Sequence, residues 1–320
     1  MQDSFISAQA LAANASRLGL AGKYSTAALT PDAFAHTELI LARLPRAHSA
    51  LAYTLEVLAA SAATYGVNPQ FVGGGMVKHL SLALNQELQQ LYPQVHASLA
   101  RGKARVIHAT TTAPSSPLLV PPTPPRFPQE RWHDGIGLKA FAYGAVFGGA
   151  SLDQGTALLL RNLEKLPLSA PPREVLDLGC GSGLIASAAA RHWPTAQILA
   201  TDVSAQAVAS TRLTAQHAQF ADRVHAFADD AAAQLPANSL DLVLCNPPFH
   251  NRGEVLGSIA AKMFRAAARV LRPGGTLVCV YNTTLPYFPQ LNQLVGPTQV
   301  LANDAKFTLS AATRRHAAST

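Results

Sequence analysis

The sequence predicts an α/β protein in which a doubly wound, mostly parallel sheet follows a shorter, degenerate copy of the same fold. Three observations lead to this prediction. Apolar segments of strand length alternate with amphipathic helical segments over residues 171–320, which is typical of a parallel sheet covered by helices on both faces. A proline-rich segment separates this region from residues 1–112. Two stretches of the first region repeat, in the same order, stretches of the second.

The elements of the second region follow from its apolar runs and its turn signals. The predicted strands are Val175–Leu178, Gln197–Thr201, Val224–Phe227, Leu240–Cys245, Thr276–Tyr281, Gln299–Leu301 and Phe307–Ala311. The predicted helices are Leu184–His192, Ala205–Ala218 and Glu254–Leu271, the last of which ends before Pro273-Gly274-Gly275. Because no helical segment separates the last two strands, we expect them to form an antiparallel edge hairpin of a seven-stranded sheet.

The repeat indicates that the N-terminal region is a decayed copy of the C-terminal one. Ser7–Leu11 resembles Ser204–Val208, and Leu39–Arg46 resembles Leu242–Phe249. The copy begins at a helix and lacks a counterpart of the first strand and of the glycine-rich turn that follows it. The N-terminal domain is therefore predicted to be truncated.

The domain boundary is predicted at residues 113–128, which contain seven prolines. Proline lacks a backbone donor and has a fixed φ, so this segment is neither helix nor interior strand, and it is expected to be a semi-rigid connector. We assign residues 1–112 to a degenerate domain, 113–130 to a linker and 131–320 to a catalytic domain.

The composition limits the class of protein. The chain is 48% hydrophobic and 13% charged, so it can bury a sizeable core, and no apolar run is long enough to span a membrane. Three cysteines are too few for a disulfide framework, and the histidines have no metal-ligand spacing. These features predict a cytoplasmic protein without a metal. The net charge of +7 suits a polyanionic partner, although it is also compatible with a role in solubility alone.

A glycine-rich turn supplies the first functional motif. Gly179–Gly183 follows a strand and opens a helix, where glycine allows close approach of a ligand and the free amides favour an anionic group. The spacing is G-x-G-x-G, in contrast to the G-x-G-x-x-G of dinucleotide-binding turns. This spacing, with an acid two residues upstream, is typical of enzymes that bind S-adenosyl-L-methionine (SAM). The predicted cofactor-binding residues of this motif are Asp177, Gly179, Gly181 and Gly183.

Acidic residues follow the next two strands. Asp202 ends the second strand, where a carboxylate can accept hydrogen bonds from two ribose hydroxyls. It can also cap the next helix, although Ser204 can serve as that cap instead. Asp229 and Asp230 follow the third strand, where the SAM-binding pattern that the glycine-rich turn resembles has an acid for the adenine amino group. We prefer Asp230, because it immediately precedes Ala231, as the acid of that pattern precedes an alanine. The alternative is that both are solvated acids of the loop.

The segment Asn246-Pro247-Pro248-Phe249 ends the fourth strand. Two prolines fix the backbone and remove donors, so that the local carbonyls face a cavity. The Asn246 side-chain oxygen and the Pro247 carbonyl can both accept hydrogen bonds from one planar amino group, on whose ring Phe249 can stack. A planar amine needs no prior deprotonation, because its proton leaves after the nitrogen has become cationic. The predicted catalytic residues are Asn246, Pro247 and Phe249, and Asn246 is also expected to lie near the cofactor.

These motifs resemble the class I SAM-dependent ribosomal RNA guanine-N2 methyltransferases. Asn246–His250 has the NPPFH form typical of that family, which pairs a degenerate methyltransferase-like domain with an active one. Further similar segments are Ala145–Gly148, Leu152–Thr156, Lys262–Phe264, Tyr281–Asn282, Leu285–Phe288 and Ala302–Phe307. The resemblance implies two tandem Rossmann-like domains, SAM as cofactor and ribosomal RNA as partner. This sequence resembles the large-subunit (23S) branch of the family more than the small-subunit (16S) branch.

The resemblance also implies substrate-binding residues, and it leaves alternatives open. Phe147, Pro248 and His250 are expected to contact the target, although Phe147 is equally compatible with a place in the core. In the repeat, Arg43 and Arg46 occupy the positions of Asn246 and Phe249. These two arginines either bind phosphate or are solvated residues of a loop. The alternative functions are methylation of a guanine in 16S RNA, of a protein glutamine or of a DNA adenine, or a non-catalytic SAM-binding RNA assembly factor. The chain is expected to be monomeric.

Overall fold

The computed structural model describes residues 2–113, 116–118, 124–248 and 254–316. It divides into two compact units. The N-terminal unit comprises residues 1–3, 7–129 and 143–145, and the C-terminal unit comprises residues 4–6, 130–142 and 146–320. In the described residues, no helix is both long enough and apolar enough to cross a membrane.

The N-terminal unit contains a four-stranded sheet and three α-helices in its described residues. Its elements are α1 (Phe5–Arg17), β1 (Leu39–Arg43), α2 (His48–Tyr65), β2 (Gln70–Met76), α3 (Leu82–Gln89), β3 (Gln94–Ala97) and β4 (Ala104–Thr110). The strand order is β1-β2-β4-β3, with β1 and β2 parallel and the other pairs antiparallel. Apolar side chains of α2, such as Leu51 and Leu58, are buried in one cluster with Phe71 and Ile107 of the sheet.

The proline-rich segment packs on the N-terminal unit in the parts that the structure describes. Leu118 belongs to the apolar core of that unit, and the ring of Phe127 packs edge-to-face against Tyr53. The Arg126 guanidinium lies 2.7 Å from the Glu87 carboxylate, and its backbone N–H donates to Glu56. These contacts fix the end of the segment against α2 and α3.

The C-terminal unit contains the remaining elements. They are β5 (Gln129–His133), β6 (Leu138–Ala142), α4 (Gln154–Leu160), β7 (Glu174–Leu178), α5 (Leu184–His192), β8 (Gln197–Asp202), α6 (Ala205–His217), β9 (Val224–Ala228), β10 (Leu240–Cys245), α7 (Glu254–Val270), β11 (Leu271–Asn282), α8 (Tyr287–Leu294), β12 (Thr298–Asn303) and β13 (Phe307–Thr313). The predicted strands and helices all occur, with ends that differ by a few residues.

The large sheet has the order β12-β13-β11-β10-β7-β8-β9. Only β13 runs antiparallel to its neighbours, β11 and β12, so the predicted seven-stranded sheet with an antiparallel edge is confirmed. Successive strand residues enter two apolar clusters on opposite faces, as the two-residue period of a strand requires. Val175 and Leu242 belong to one cluster, and Leu176 and Val243 belong to the other.

The N-terminal sheet repeats four of the seven strands of the C-terminal sheet. The order β1-β2-β4-β3 has the same strand directions as β10-β11-β13-β12, and α2 and α3 take the places of α7 and α8 along the chain. Nothing in the described N-terminal unit corresponds to β7, β8 and β9. The prediction of a tandem fold with a degenerate, truncated first copy is thereby confirmed.

Strand β11 departs furthest from its predicted bounds. The strand expected at Thr276–Tyr281 begins at Leu271, directly after α7. Leu271 pairs with Leu240, and the pairing then shifts so that Thr276 lies opposite Leu242. Residues 272–275 therefore form a bulge, with Gly274 at a φ of 82°, because the Pro-Gly-Gly sequence interrupts the pairing without ending the strand.

Candidate active site

The register of the parallel strands brings the predicted motifs to one edge of the large sheet. Leu178 at the end of β7 lies between Thr201 of β8 and Cys245 of β10. The residues that follow these positions are Gly179, Asp202 and Asn246. Asp202 in turn pairs with Ala228, directly before Asp229. The carboxyl ends of parallel strands are where ligands bind in open α/β sheets.

The glycine-rich turn needs glycine for two different reasons. Gly179, Gly181 and Gly183 have φ values of 87°, 53° and 80°, a region that side chains disfavour. A Cβ on Gly183 would also lie 2.7 Å from the Cα of Thr211 on α6, so this glycine permits close helix packing. A Cβ on Gly181 would meet no atom within 4 Å. The turn therefore faces open space at Gly181, where the backbone can receive a ligand.

Asp177 lies beneath this turn and is fully buried. Its Oδ2 accepts a hydrogen bond from the backbone N–H of Ala186 at 3.0 Å, while its Oδ1 is buried without a hydrogen-bond partner. Burial raises the pKa of Asp177 to about 7, partly offset by the Ala186 hydrogen bond and reinforced by the charge of Asp202. The side chain thus joins β7 to α5 below the glycines.

Asp202 connects the turn to the second strand. One carboxylate oxygen accepts from the backbone N–H of Gly181 at 3.1 Å, and the other accepts from Ser204 at 2.9 Å. The N-cap of α6 is Ser204, whose side chain accepts from Ala207. Asp202 is therefore not the helix cap, and its half-buried carboxylate remains at the edge beside the open glycine.

The two acids after β9 have different surroundings. Asp229 is 1% exposed, and its two oxygens accept from the backbone N–H groups of Asp230 and Gln234. This carboxylate holds the loop in which Ala231 and Ala232 have positive φ. Asp230 is half-buried and pairs with Lys262 on α7. Of the two, Asp230 is the one with a solvent-accessible side chain.

Asn246 is the most constrained side chain of the site. Its Nδ2 donates to Oδ1 of Asp153 at 3.2 Å and to Oγ1 of Thr156 at 3.0 Å. Its Oδ1 is buried without a hydrogen-bond partner. Because a carboxylate can only accept, it fixes the amide with its nitrogen toward Asp153 and its oxygen away from it. A buried, unpaired acceptor carries an energetic cost unless a ligand supplies a donor.

The sequence alone did not identify Asp153 and Thr156 as partners of Asn246. Asp153 is the N-cap of α4, and it accepts from the backbone N–H of Thr156 at 3.0 Å. An Asp just before a helical segment is a local signal for such a cap. The contact with Asn246 spans 93 residues of sequence, and no local pattern predicts it.

The remaining predicted residues have diverse positions. Pro247 is buried and Pro248 is exposed at the end of β10. Phe147 is 64% exposed, which excludes the alternative that it belongs to the core. Phe249 and His250 lie outside the described residues. In the described part of the chain, no three His, Cys, Asp or Glu side chains group closely enough to hold a metal ion.

The cysteines near the site are structural. Cys180 in the turn is buried, and burial together with the charges of Asp177 and Asp202 raises the pKa of its thiol well above its usual value. Cys279 lies opposite Cys245 in the pairing of β10 and β11, and burial raises its thiol pKa as well. A thiol held in the neutral form is a poor nucleophile.

Family models match both halves of the chain. The methyltransferase small domain matches residues 138–311, and the RLMG N-terminal domain matches residues 1–113. A protein of Streptomyces coelicolor named ribosomal RNA large subunit methyltransferase G is 36% identical over 276 residues, which cover 85% of this chain and 71% of that protein. The protein of the same name from Streptomyces avermitilis is 33% identical over 98% of this chain and 81% of its own length.

The chain belongs to the ribosomal RNA large subunit methyltransferase G family. As a member of this family it is a SAM-dependent methyltransferase, and the family expected from the sequence motifs is confirmed.

A solved structure has the same fold. It is the T. thermophilus 16S rRNA N2 methyltransferase RsmC in complex with AdoMet and guanosine, with a TM-score of 0.70 and 24% identity. The match covers 87% of this chain and 73% of that one. It supports the tandem arrangement that the strand orders of the two units show.

Proposed function

We propose that this methyltransferase transfers the methyl group of SAM to the exocyclic N2 amine of a guanine in 23S ribosomal RNA. The observation that carries the proposal is the buried Oδ1 of Asn246, which lacks a partner and whose orientation is fixed. An acceptor of this kind, next to the donor-free Pro247 and Pro248, fits a ligand that brings N–H groups. Relatives named for the large subunit favour 23S over 16S RNA.

The edge of the sheet offers a site that fits SAM. The positive-φ turn of Gly179, Gly181 and Gly183 is open at Gly181, where the backbone can approach the cofactor without a clashing Cβ. Asp202 accepts from the backbone N–H of Gly181 and lies half-buried at this edge, where its carboxylate can also accept from the ribose hydroxyls. SAM supplies a methyl group on a positively charged sulfur.

The two acids of the third loop and the buried acid of the turn have separate roles. Asp230 is the residue that would accept the adenine amino group, because its side chain is solvent-accessible, whereas the Asp229 carboxylate is 1% exposed and holds the backbone of the loop. Asp177 would support the glycine-rich turn and would not touch the cofactor itself, because its buried carboxylate accepts from the backbone N–H of Ala186 on α5.

The acceptor amine would be held by hydrogen bonds that strengthen during the reaction. Oδ1 of Asn246 and the carbonyl of Pro247 accept from the two N–H groups of the amine, which turns its lone pair toward the methyl donor. As the nitrogen becomes cationic, its hydrogens become more acidic and these bonds become stronger. Positioning therefore supplies most of the catalysis. Pro248, exposed Phe147, and Phe249 and His250 of the same motif would contact the base and its surroundings.

Asp153 would act on the amine through Asn246. Its carboxylate accepts from Nδ2 and thereby keeps Oδ1 facing the substrate. Its negative charge also polarises the amide, so that the oxygen becomes a stronger acceptor for a nitrogen that gains positive charge. We therefore assign Asp153, together with Thr156, as a positioning residue for Asn246.

The RNA must present its guanine outside a duplex, because N2 is otherwise paired and stacked. The decayed copy over residues 1–112, joined through the segment 113–130 to the catalytic residues 131–320, would contribute contacts to the RNA.

Transfer from labelled SAM tests this function. Purified protein is incubated with 23S transcript, 16S transcript and a protein substrate pool, and the labelled nucleotide is then mapped. We expect label on N2 of a guanine in 23S RNA. Label on 16S RNA would move the assignment to the small subunit. Label on protein that maps to a glutamine would identify that side chain as the acceptor, and cofactor binding without transfer to any of them would indicate a non-catalytic RNA factor.

A further inference from the structure

Asn282 is an amide side chain at the carboxyl end of β11, the strand next to β10. Cys245 at the end of β10 lies opposite Cys279 of β11, so Asn282 comes three residues beyond this pair, alongside the segment that continues from β10. The side chain is half-buried. Asn282 therefore lies at the same edge of the sheet as Asn246, the central residue of the acceptor site.

The two amides also lie on the same face of the sheet. Leu244 of β10 and Val280 of β11 belong to one apolar cluster. Because side chains alternate between the two faces of a strand, Asn246 and Asn282, each two residues further along, follow on the face of that cluster. With strands about 4.8 Å apart and about 6.6 Å between alternate residues of one strand, continuation of the register separates their Cα atoms by about 8 Å. Two amide side chains with this separation can contact one planar base.

The packing around α4 gives independent evidence that these residues lie together. Asn282 pairs with Phe307 of β13, and a Cβ on Gly155 would lie 3.2 Å from the ring of Phe307. Gly155 belongs to the first turn of α4, the turn whose side chains hold the Asn246 amide. The end of β11, the start of β13 and the first turn of α4 therefore meet beside the acceptor site.

A local turn fixes the direction of the Asn282 amide. Its Oδ1 accepts from the backbone N–H of Thr284 at 3.0 Å and from the hydroxyl of the same residue at 2.8 Å. Because a backbone N–H can only donate, the atom that it contacts must be the amide oxygen, and the nitrogen lies on the other side. No hydrogen bond from Nδ2 is found in the described residues. Asn282 thus presents a donor, whereas Asn246 presents an acceptor.

We propose that Asn282 is a substrate-binding residue that donates from Nδ2 to N3 of the target guanine. The exocyclic amine of guanine is flanked by two ring nitrogens, N1, which carries a hydrogen, and N3, which carries none. When Asn246 and Pro247 hold the amine, a donor beside them matches N3 and not N1. This additional hydrogen bond fixes the base within its plane, so that the N2 nitrogen keeps its position relative to the methyl donor. The inference rests on the proposed function, since it takes the guanine N2 amine as the acceptor.

An isosteric substitution tests this contact. Asn282→Asp keeps an oxygen that can accept from Thr284, so the turn is preserved, and it replaces the donor with a second acceptor. Its control is Asn303→Asp, which makes the same change of charge at an exposed residue at the end of β12, on the same edge of the sheet. Transfer from labelled SAM is measured on a 23S RNA fragment that contains the mapped guanine.

We expect Asn282→Asp to lower kcat/KM for the RNA by about 10², because N3 then faces another acceptor and a negative charge. The control is expected to keep the wild-type value, and both variants are expected to keep the wild-type KM for SAM and melting temperature. A wild-type kcat/KM in Asn282→Asp would overturn the proposal, as would an equal loss in the control.

A base analogue gives a readout that a merely structural role would not change. In 3-deazaguanine a carbon replaces N3, and the N2 amine remains. We expect the wild type to methylate RNA with this analogue about 10-fold less efficiently than RNA with guanine, and Asn282→Ala to methylate both equally well. Equal discrimination by the two proteins would overturn the contact with N3. Transfer by the wild type to an atom other than guanine N2 would refute the proposed function, whereas the other negative outcomes concern Asn282 alone.

Discussion

The amide of Asn246 presents opposite hydrogen-bonding groups on its two sides, and the protein fixes which side faces the site. Nδ2 is held by Asp153 and Thr156, and Oδ1 is left as a buried acceptor. The chemistry at this residue depends on that orientation, because an amino group can only be held by an acceptor as its charge develops.

Replacing Asn246 with Ala is expected to reduce kcat by about 10²–10³. The substitution removes an acceptor for the developing cation and leaves the glycine-rich turn and Asp202 intact. Calorimetry is therefore expected to give a wild-type dissociation constant for SAM. Near-wild-type turnover in this variant would contradict the assigned role.

Replacing Asp153 with Asn separates its role as the N-cap of α4 from its role in orienting Asn246. Asn caps helices as well as Asp does, so the melting temperature is expected to be unchanged. The new amide can donate to Asn246 and no longer fixes its orientation, so kcat is expected to fall by up to about 10² at constant KM for SAM. A purely structural cap would leave kcat as it is, and Thr156→Ser, which keeps the hydroxyl, serves as the control.

The sequence identifies those site residues whose signal is local. The glycines and Asn246-Pro247-Pro248 have fixed spacings on strand ends, and the register of the sheet brings them together as expected. Asp153 contacts Asn246 across 93 residues, and the burial of Asp229 depends on the loop around it. Such contacts arise from tertiary packing, which no spacing rule encodes.

At the scale of elements, predictions succeeded where apolar runs were bounded by clear turns. Strand β10 and helix α5 have the predicted ends, Leu240–Cys245 and Leu184–His192. Helices α4 and α8 were not predicted, since each spans only about two turns and carries prolines or polar residues near its ends. The bulge of β11 could not be predicted, because Pro-Gly-Gly occurs both in bulges and in the turns that end an element.

The connection between β7 and α5 through Asp177 makes the stability of the C-terminal unit depend on pH. The buried carboxyl has a pKa of about 7, against 3.8 for the ordinary group. The folded state therefore keeps a proton that the unfolded chain loses, and the free energy of unfolding falls as pH rises from about 4 to about 7. This single group contributes a slope of up to about 1.4 kcal/mol per pH unit.

Asp177→Asn is expected to remove that slope, since Asn cannot ionise and can still accept from Ala186. Urea unfolding followed by tryptophan fluorescence is the measurement, because Trp132 and Trp193 both lie in the C-terminal unit. Wild type and variant should diverge progressively above pH 4. Parallel stability curves would show that Asp177 is ionised in the folded protein.

At the scale of the whole molecule, two copies of one topology have different roles. The N-terminal sheet preserves the order of β10, β11, β13 and β12, but the segment after β1, Leu44-Pro45-Arg46-Ala47, contains neither glycine nor an amide side chain. The presence of a second copy could be inferred from two short sequence matches, whereas the order and directions of its strands required the backbone pairing.

The protein is expected to bind one SAM per chain. The described residues of the N-terminal copy contain no counterpart of β7 and its glycine-rich turn, which would supply the second site. Isothermal titration calorimetry gives the stoichiometry directly. Two equivalents per chain would show that the truncated copy still binds the cofactor.

The position of Asn246 before Pro247 also affects how the protein ages. Asparagine usually deamidates when the backbone nitrogen of the next residue attacks the side-chain amide and closes a succinimide ring. Proline has no N–H, so this ring cannot form at Asn246. Asn238, which precedes Ser239 at a surface turn, has no such protection. The amide on which methyl transfer depends is therefore chemically durable, and stored protein should acquire charge variants elsewhere before it loses activity at this position.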